Sequence, residues 1–135
     1  MLRLVAVDDA GRIVNPLLAE GQVIGGSVQG LGEAFFEEAV YGEDGQFLTS
    51  TFAEYGVPRA AQVPPVVSEF LETPSPLNPL GAKGIGEAGC IATPAAVANG
   101  VMDALAPLGI RHLNFPFTPR RVWEAIAQAR RIRKT

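Results

Sequence analysis

The sequence predicts an α+β domain: short antiparallel strands, a long glycine-rich helix and two further helices. Three observations predict it. Apolar residues alternate near the N-terminus, a stripe of helical period follows Asn15-Pro16, and later strand and helix signals do not alternate regularly as they would in a parallel α/β fold. A chain of 135 residues is of ordinary single-domain size, so one unit over residues 1–135 is expected.

Leu2, Leu4 and Ala6 alternate before the turn-rich run Asp8-Asp9-Ala10-Gly11-Arg12, and Ile13-Val14 follow, which reads as a hairpin of two short strands. Asn15-Pro16 is an N-cap followed by proline at the first helical position, where a missing N–H costs nothing. Leu17, Ile24, Val28, Leu31 and Phe35 then mark one face of a helix running to about Val40. Gly21, Gly25, Gly26, Gly30 and Gly32 lie within it, each costing roughly 0.5–1 kcal/mol relative to alanine. Gln22, Gly25, Gly26 and Gln29 share a face, so two amides flank a strip that a backbone or a ligand could approach closely, and spacing favours neither occupant.

Tyr41 to Leu48 is turn-rich and opens a strand, Thr51 to Pro65 is extended loop, and Val66 to Leu71 is another strand. A proline cluster at Pro74, Pro76 and Pro79 leads into Gly81-Ala82-Lys83-Gly84. Thr93-Pro94 repeats the cap-then-proline signal and starts a helix ending near Pro107 or Gly109. Ile110 to Phe117 reads as a strand, and Thr118-Pro119 opens a last helix carrying Val122, Trp123 and Ile126.

Composition limits the function classes. The chain is 47% hydrophobic and 19% charged, as globular proteins are, with a net charge of −3. Residues 1–90 hold four basic and twelve acidic groups, residues 91–135 seven and two. The basic tail Arg130-Arg131-Ile132-Arg133-Lys134 follows the last helix without interleaved aromatics, which reads as a solvated chain end and not a nucleic-acid surface. Cys90 and His112 are the only residues of their kinds, so neither an internal disulfide nor a zinc site can be built from them alone. The N-terminal apolar run is too short for a signal peptide and no eighteen apolar residues run together, so a cytoplasmic protein without a membrane span is expected.

Gly84-Ile85-Gly86-Glu87-Ala88-Gly89 matches the GxGxxG pattern of dinucleotide sites. That fingerprint needs a strand directly before it and a helix opening within it, whereas prolines lead in and the next cap signal, Thr93, comes after the last glycine. A carboxylate in the loop would also oppose a bound pyrophosphate. Glycines around one carboxylate instead describe a backbone free to press against a planar or anionic ligand, with Glu87 as a general base and Lys83 available to an anionic group. The structural alternative, Glu87 capping the following helix and Lys83 merely exposed, is equally compatible with the spacing.

The run Asn78-Pro79-Leu80-Gly81-Ala82-Lys83-Gly84-Ile85-Gly86-Glu87-Ala88-Gly89 resembles the active-site loop of the molybdopterin-binding large subunit of the xanthine dehydrogenase, aldehyde oxidase and aerobic carbon monoxide dehydrogenase family. The likeness extends from Val7-Asp8-Asp9-Ala10-Gly11-Arg12-Ile13-Val14-Asn15-Pro16 through Gly21-Gln22-Val23-Ile24-Gly25-Gly26-Ser27-Val28-Gln29-Gly30-Leu31-Gly32 to Thr118-Pro119-Arg120-Arg121-Val122-Trp123. It implies that Glu87 is the catalytic base in a closed pocket that raises its pKa by desolvation, and that Gly84, Ile85 and Gly86 border the pterin cofactor. Gln22 matches a glutamine that touches the pterin; Gln29 matches another of structural role. Molybdenum in the family is held by pterin sulfurs, so Cys90 is expected as a packed residue.

The resemblance further implies oxidation of an aldehyde, an N-heterocycle or carbon monoxide with water-derived oxygen. It also implies a molybdopterin cofactor, in the cytosine dinucleotide form, and iron–sulfur and flavin partner subunits. A complete subunit is several times longer, so the chain corresponds to a C-terminal portion, inactive alone: a shortened product or one part of a split subunit whose remainder is a partner. A non-catalytic remnant acting as a folding, homo-oligomerisation or assembly module, and a nucleotide-binding domain, are the other function classes.

Overall fold

The computed structural model describes residues 1–132. Of the basic tail, Arg133 and Lys134 lie outside the described residues. Strands β1 (Leu4–Asp9) and β2 (Val66–Leu71) and helices α1 (Pro16–Phe35), α2 (Ala88–Leu105) and α3 (Pro119–Ile132) are joined by loops and short 3-10 turns at Ala60–Gln62 and Ala106–Leu108. Two compact units form. Met1–Gly30 with Arg59–Thr93 makes one, and Leu31–Pro58 with Pro94–Thr135 the other.

In the first unit β1 pairs with β2 in parallel, from Leu4 opposite Val66 to Asp9 opposite Leu71. The predicted N-terminal hairpin, and with it the antiparallel character of the strands, is therefore wrong. Gly11 turns the chain at a φ of 61° and forms an antiparallel bridge with Ala82. Only Arg12, Ile13 and Val14 then remain before the helix cap, too few to return along β1. Parallel pairing sets the C-terminal ends of both strands side by side, and the loops that follow them meet there.

Helix α1 starts as expected, with the Asn15 Oδ1 accepting the Leu18 N–H at 3.2 Å. Its buried stripe differs from the predicted one. Ala19, Val23 and Ser27 are buried in this unit, while Leu17 and Leu18 are exposed. Small residues are covered because a second backbone comes close: a β-carbon on Gly26 would stand 3.1 Å from the Cys90 nitrogen, and one on Gly89 2.2 Å from the Val23 carbonyl oxygen.

Helix α2 begins at Ala88, six residues before Pro94, the predicted first helical residue, and carries Pro94 in its interior. Pro94 has no N–H for the carbonyl four residues back, which made Thr93-Pro94 look like a beginning. Instead the Thr93 hydroxyl donates to the Gly89 carbonyl at 2.7 Å, as a residue already inside a helix does. By length and a mean hydropathy of 1.2, Ala88–Leu108 is the one candidate membrane span among the described residues, a test that the core helix of a soluble protein also passes.

In the second unit α1 ends at Phe35, short of Val40, where the Gly32 carbonyl accepts the N–H groups of both Phe36 and Glu37. Leu31, Ala34, Val97, Leu105, Ile110 and Phe117 are buried here. The strand expected over Ile110 to Phe117 is absent: Pro116 removes a ladder donor, and the Phe117 N–H goes to the Ala34 carbonyl at 2.7 Å. Residues 40–48 form a tight turn closed by one bridge, Tyr41 to Phe47, in place of a strand. Helix α3 starts after Thr118, whose hydroxyl accepts the Arg121 N–H, and Arg121 pairs with Glu38.

Candidate functional site

The site lies within the first unit, where the loops after the two strands meet the start of α1. A cleft of about 420 Å³ opens there, lined by Ala10 and residues 12–15, by Leu18, Ala19 and Gln22 of α1, and by Ala82, Lys83, Ile85 and Gly86. Its size and mixed lining suit a small molecule. Four predicted site residues, Gln22, Lys83, Ile85 and Gly86, are thus brought together, and the Gln22 Nε2 donates to the Gly86 carbonyl at 2.7 Å. A β-carbon on Gly84 or Gly86 would meet no other atom within 4 Å, so the loop presents bare backbone outward.

Glu87 is not part of the cleft lining. It is exposed and sits at the boundary of α2, its carbonyl accepting the N–H groups of Cys90 at 2.9 Å and Ile91 at 3.1 Å. The desolvating pocket expected around it is not formed by the described residues. Its position also corrects one argument drawn from spacing, because a helix does open inside Gly84–Gly89. The strand that a dinucleotide fingerprint needs just before it is still missing: β2 ends at Leu71 and an irregular segment intervenes.

Lys83 borders the cleft, but its ammonium is bonded at 2.7 Å to the Asp9 Oδ2 and at 2.7 Å to the Thr73 Oγ1. The Asp9 Oδ1 also accepts the Gly11 N–H at 2.8 Å and the Thr73 N–H at 3.2 Å, and its Oδ2 accepts the Thr73 hydroxyl. The Lys83 ammonium first, then the Thr73 hydroxyl and the two amides, hold the Asp9 carboxyl well below the usual carboxylate range. Asp9, Thr73 and the cleft residues Arg12 and Asn15 were not read from the sequence as site residues. The only signal was the Asp-x-Gly spacing of a turn in which the carboxylate bonds the amide two residues on. Gln29 is exposed and Cys90 half-buried, and no group of three metal-ligating side chains occurs among the described residues.

Residues 1–64 match the family described as molybdopterin cofactor-binding domain. The chain is 44% identical over 124 residues to the 6-hydroxypseudooxynicotine dehydrogenase complex subunit gamma of Paenarthrobacter nicotinovorans, covering 91% of the chain and 16% of that protein. It is 34% identical over 126 residues to the carbon monoxide dehydrogenase large chain of Hydrogenophaga pseudoflava, covering 93% and 16%. Quinoline 2-oxidoreductase from Pseudomonas putida 86 superposes with a TM-score of 0.88 at 43% identity over 92% of the chain and 16% of its own. The chain thus spans about one sixth of the length of these relatives.

Proposed function

We infer that this chain, which matches a molybdopterin cofactor-binding domain over residues 1–64 and is similar over nine-tenths of its length to the dehydrogenase and oxidoreductase chains above, is a C-terminal portion of the molybdopterin-binding subunit of a molybdenum hydroxylase. One observation carries the reading. Gln22 and Gly86, both named by the family resemblance, lie 64 residues apart in sequence and share a hydrogen bond at the edge of one cleft.

The residues present fit such a cofactor. The open backbone of Gly84 and Gly86 admits a planar group, Ile85 offers apolar contact, and the Gln22 amide, held at one end by the Gly86 carbonyl, keeps its oxygen for a ligand donor. The bound group, a pterin dinucleotide in this proposal, supplies a two-electron oxidation that takes its oxygen from water. Glu87, whose carbonyl is fixed at the start of α2, acts as the base that accepts a proton as the substrate carbon is hydroxylated. The surroundings that exclude water from Glu87 come from the remainder of the large subunit. Iron–sulfur and flavin subunits take the electrons, and the substrate is an aldehyde, an N-heterocycle or carbon monoxide. A cytoplasmic location goes with these partners.

Coexpression with the complementary part of a large subunit, followed by Glu87→Gln, tests the proposal. Turnover should fall by about 10²-fold or more with assembly and molybdenum content unchanged. Undiminished turnover would remove Glu87 from catalysis and favour a non-catalytic assembly module.

A further inference from the structure

The carboxylate of Asp9 accepts bonds from four donors in three segments: Gly11 in its own turn, the amide and hydroxyl of Thr73 beyond β2, and the Lys83 ammonium at the entry to the glycine loop. Backbone bonds reinforce it, with the Lys83 N–H donating to the Ala10 carbonyl at 2.9 Å and the Arg12 N–H to the Gly81 carbonyl at 2.9 Å. The fit leaves no slack. A β-carbon on Gly11 would stand 2.3 Å from the Gly81 carbonyl oxygen. Beyond Lys83 the loop is next held at Gly86 by Gln22 and then at Gly89, which packs against Val23. Only Gly84 and Ile85 lie between the first two of these pins, and Glu87 and Ala88 between the last two.

We propose that Asp9 is a positioning residue for Glu87, fixing through Lys83 and Thr73 the entry of the loop whose exit Gln22 and Val23 fix. This rests on the catalytic reading of Glu87, but the physical part stands apart from it. Lys83 on this account holds the loop and is not an anion receptor. A lysine facing a bound anion would be left to the ligand, whereas this one directs two of its three donors to Asp9 and Thr73. The parallel pairing of β1 with β2 is what makes the brace available, since it brings the end of β1, where Asp9 stands, beside the segment carrying Thr73.

Two measurements test it. Hydrogen exchange on the full chain should show faster exchange of amides from Lys83 to Ile91 in Asp9→Asn, with those of α3 unaltered. In the coexpressed assembly, Asp9→Asn and Lys83→Gln should each lower kcat about ten-fold with KM within two-fold and molybdenum retained, because a misplaced base slows chemistry without loosening substrate. Asp9→Glu should recover most of the loss, and the double variant should be no worse than either single one. Unchanged exchange in Asp9→Asn would overturn the brace whatever Glu87 does. Faster exchange with kcat unchanged, in an assembly that Glu87→Gln inactivates, would overturn the positioning role alone. If Glu87→Gln stays active, the catalytic reading itself has failed.

Discussion

Gly89, in the first turn of α2, lies so close to α1 that a β-carbon placed on it would stand 2.2 Å from the carbonyl oxygen of Val23. No side chain could yield to relieve that contact, because the obstructing atom is backbone. Gly89→Ala should therefore lower stability by about 1–3 kcal/mol, the usual cost of overpacking. Gly21 and Gly25, on the same α1, have nothing within 4 Å of such a carbon. Gly21→Ala and Gly25→Ala should raise stability by roughly 0.5–1 kcal/mol each. Urea midpoints of the three variants check both signs, and a destabilised Gly25→Ala would mean that the glycine strip is covered after all.

The Gln22 amide donates to the Gly86 carbonyl, so what matters at position 22 is a donor. Gln22→Met keeps length and loses the bond, a loss of at most about 1 kcal/mol for an exposed pair. Gln22→Glu should be worse at neutral pH, because an ionised carboxylate is an acceptor only and would face another oxygen. Thermal melts of the chain at pH 7 should rank wild type above Met and Met above Glu. Equal melting temperatures for the two variants would show that the bond is incidental.

The Asp9 carboxyl is held ionised by Lys83, Thr73 and the Gly11 amide, well below the usual carboxylate range. A carboxyl with a depressed folded pKa contributes fully above its unfolded value, about 3.9, and the contribution is lost as pH falls from there towards the folded value. Denaturation midpoints should therefore decline between pH 5 and the lowest accessible pH, and Asp9→Asn should flatten that decline while lowering the plateau at neutral pH. An identical acid limb in the variant would show that other carboxylates carry it.

What was legible in the sequence was local. Asn15-Pro16 and Thr118-Pro119 announced helix starts because a cap and a proline act within one turn, and Val66 to Leu71 announced a strand by its alternation. Pairing was not legible. Leu4 finds Val66 and not Ile13, since Gly11 sends the chain to Ala82 instead of back along β1, and no short-range pattern records that choice. The start of α2 was hidden for a related reason: Pro94 carries the mark of a first turn but lies mid-helix. At the site, Glu87 and Lys83 stood out as charged residues among glycines, whereas Gln22, Ile85 and Gly86 were named as cofactor contacts only through the family resemblance. Asp9 did not stand out, because its decisive partners, Thr73 and Lys83, are 64 and 74 residues away.

The sheet leads to a last prediction. Val5 and Val7 of β1 and Val67 and Leu71 of β2 point to the same side and are exposed, Val7 by 56% and Leu71 by 61%. With only two strands among the described residues, each has an unpaired edge, and a two-stranded sheet is marginal in water. Apolar side chains beside open edges are the surface that further chain would cover in a longer subunit. Alone, the chain should self-associate as its concentration rises, and the Val5→Thr/Val7→Thr pair should reduce this while preserving strand propensity. Sedimentation velocity across a concentration series reads the outcome. If the wild-type chain stays monomeric throughout, this face needs no covering, and the case that most of the site comes from another part of the subunit loses one of its supports.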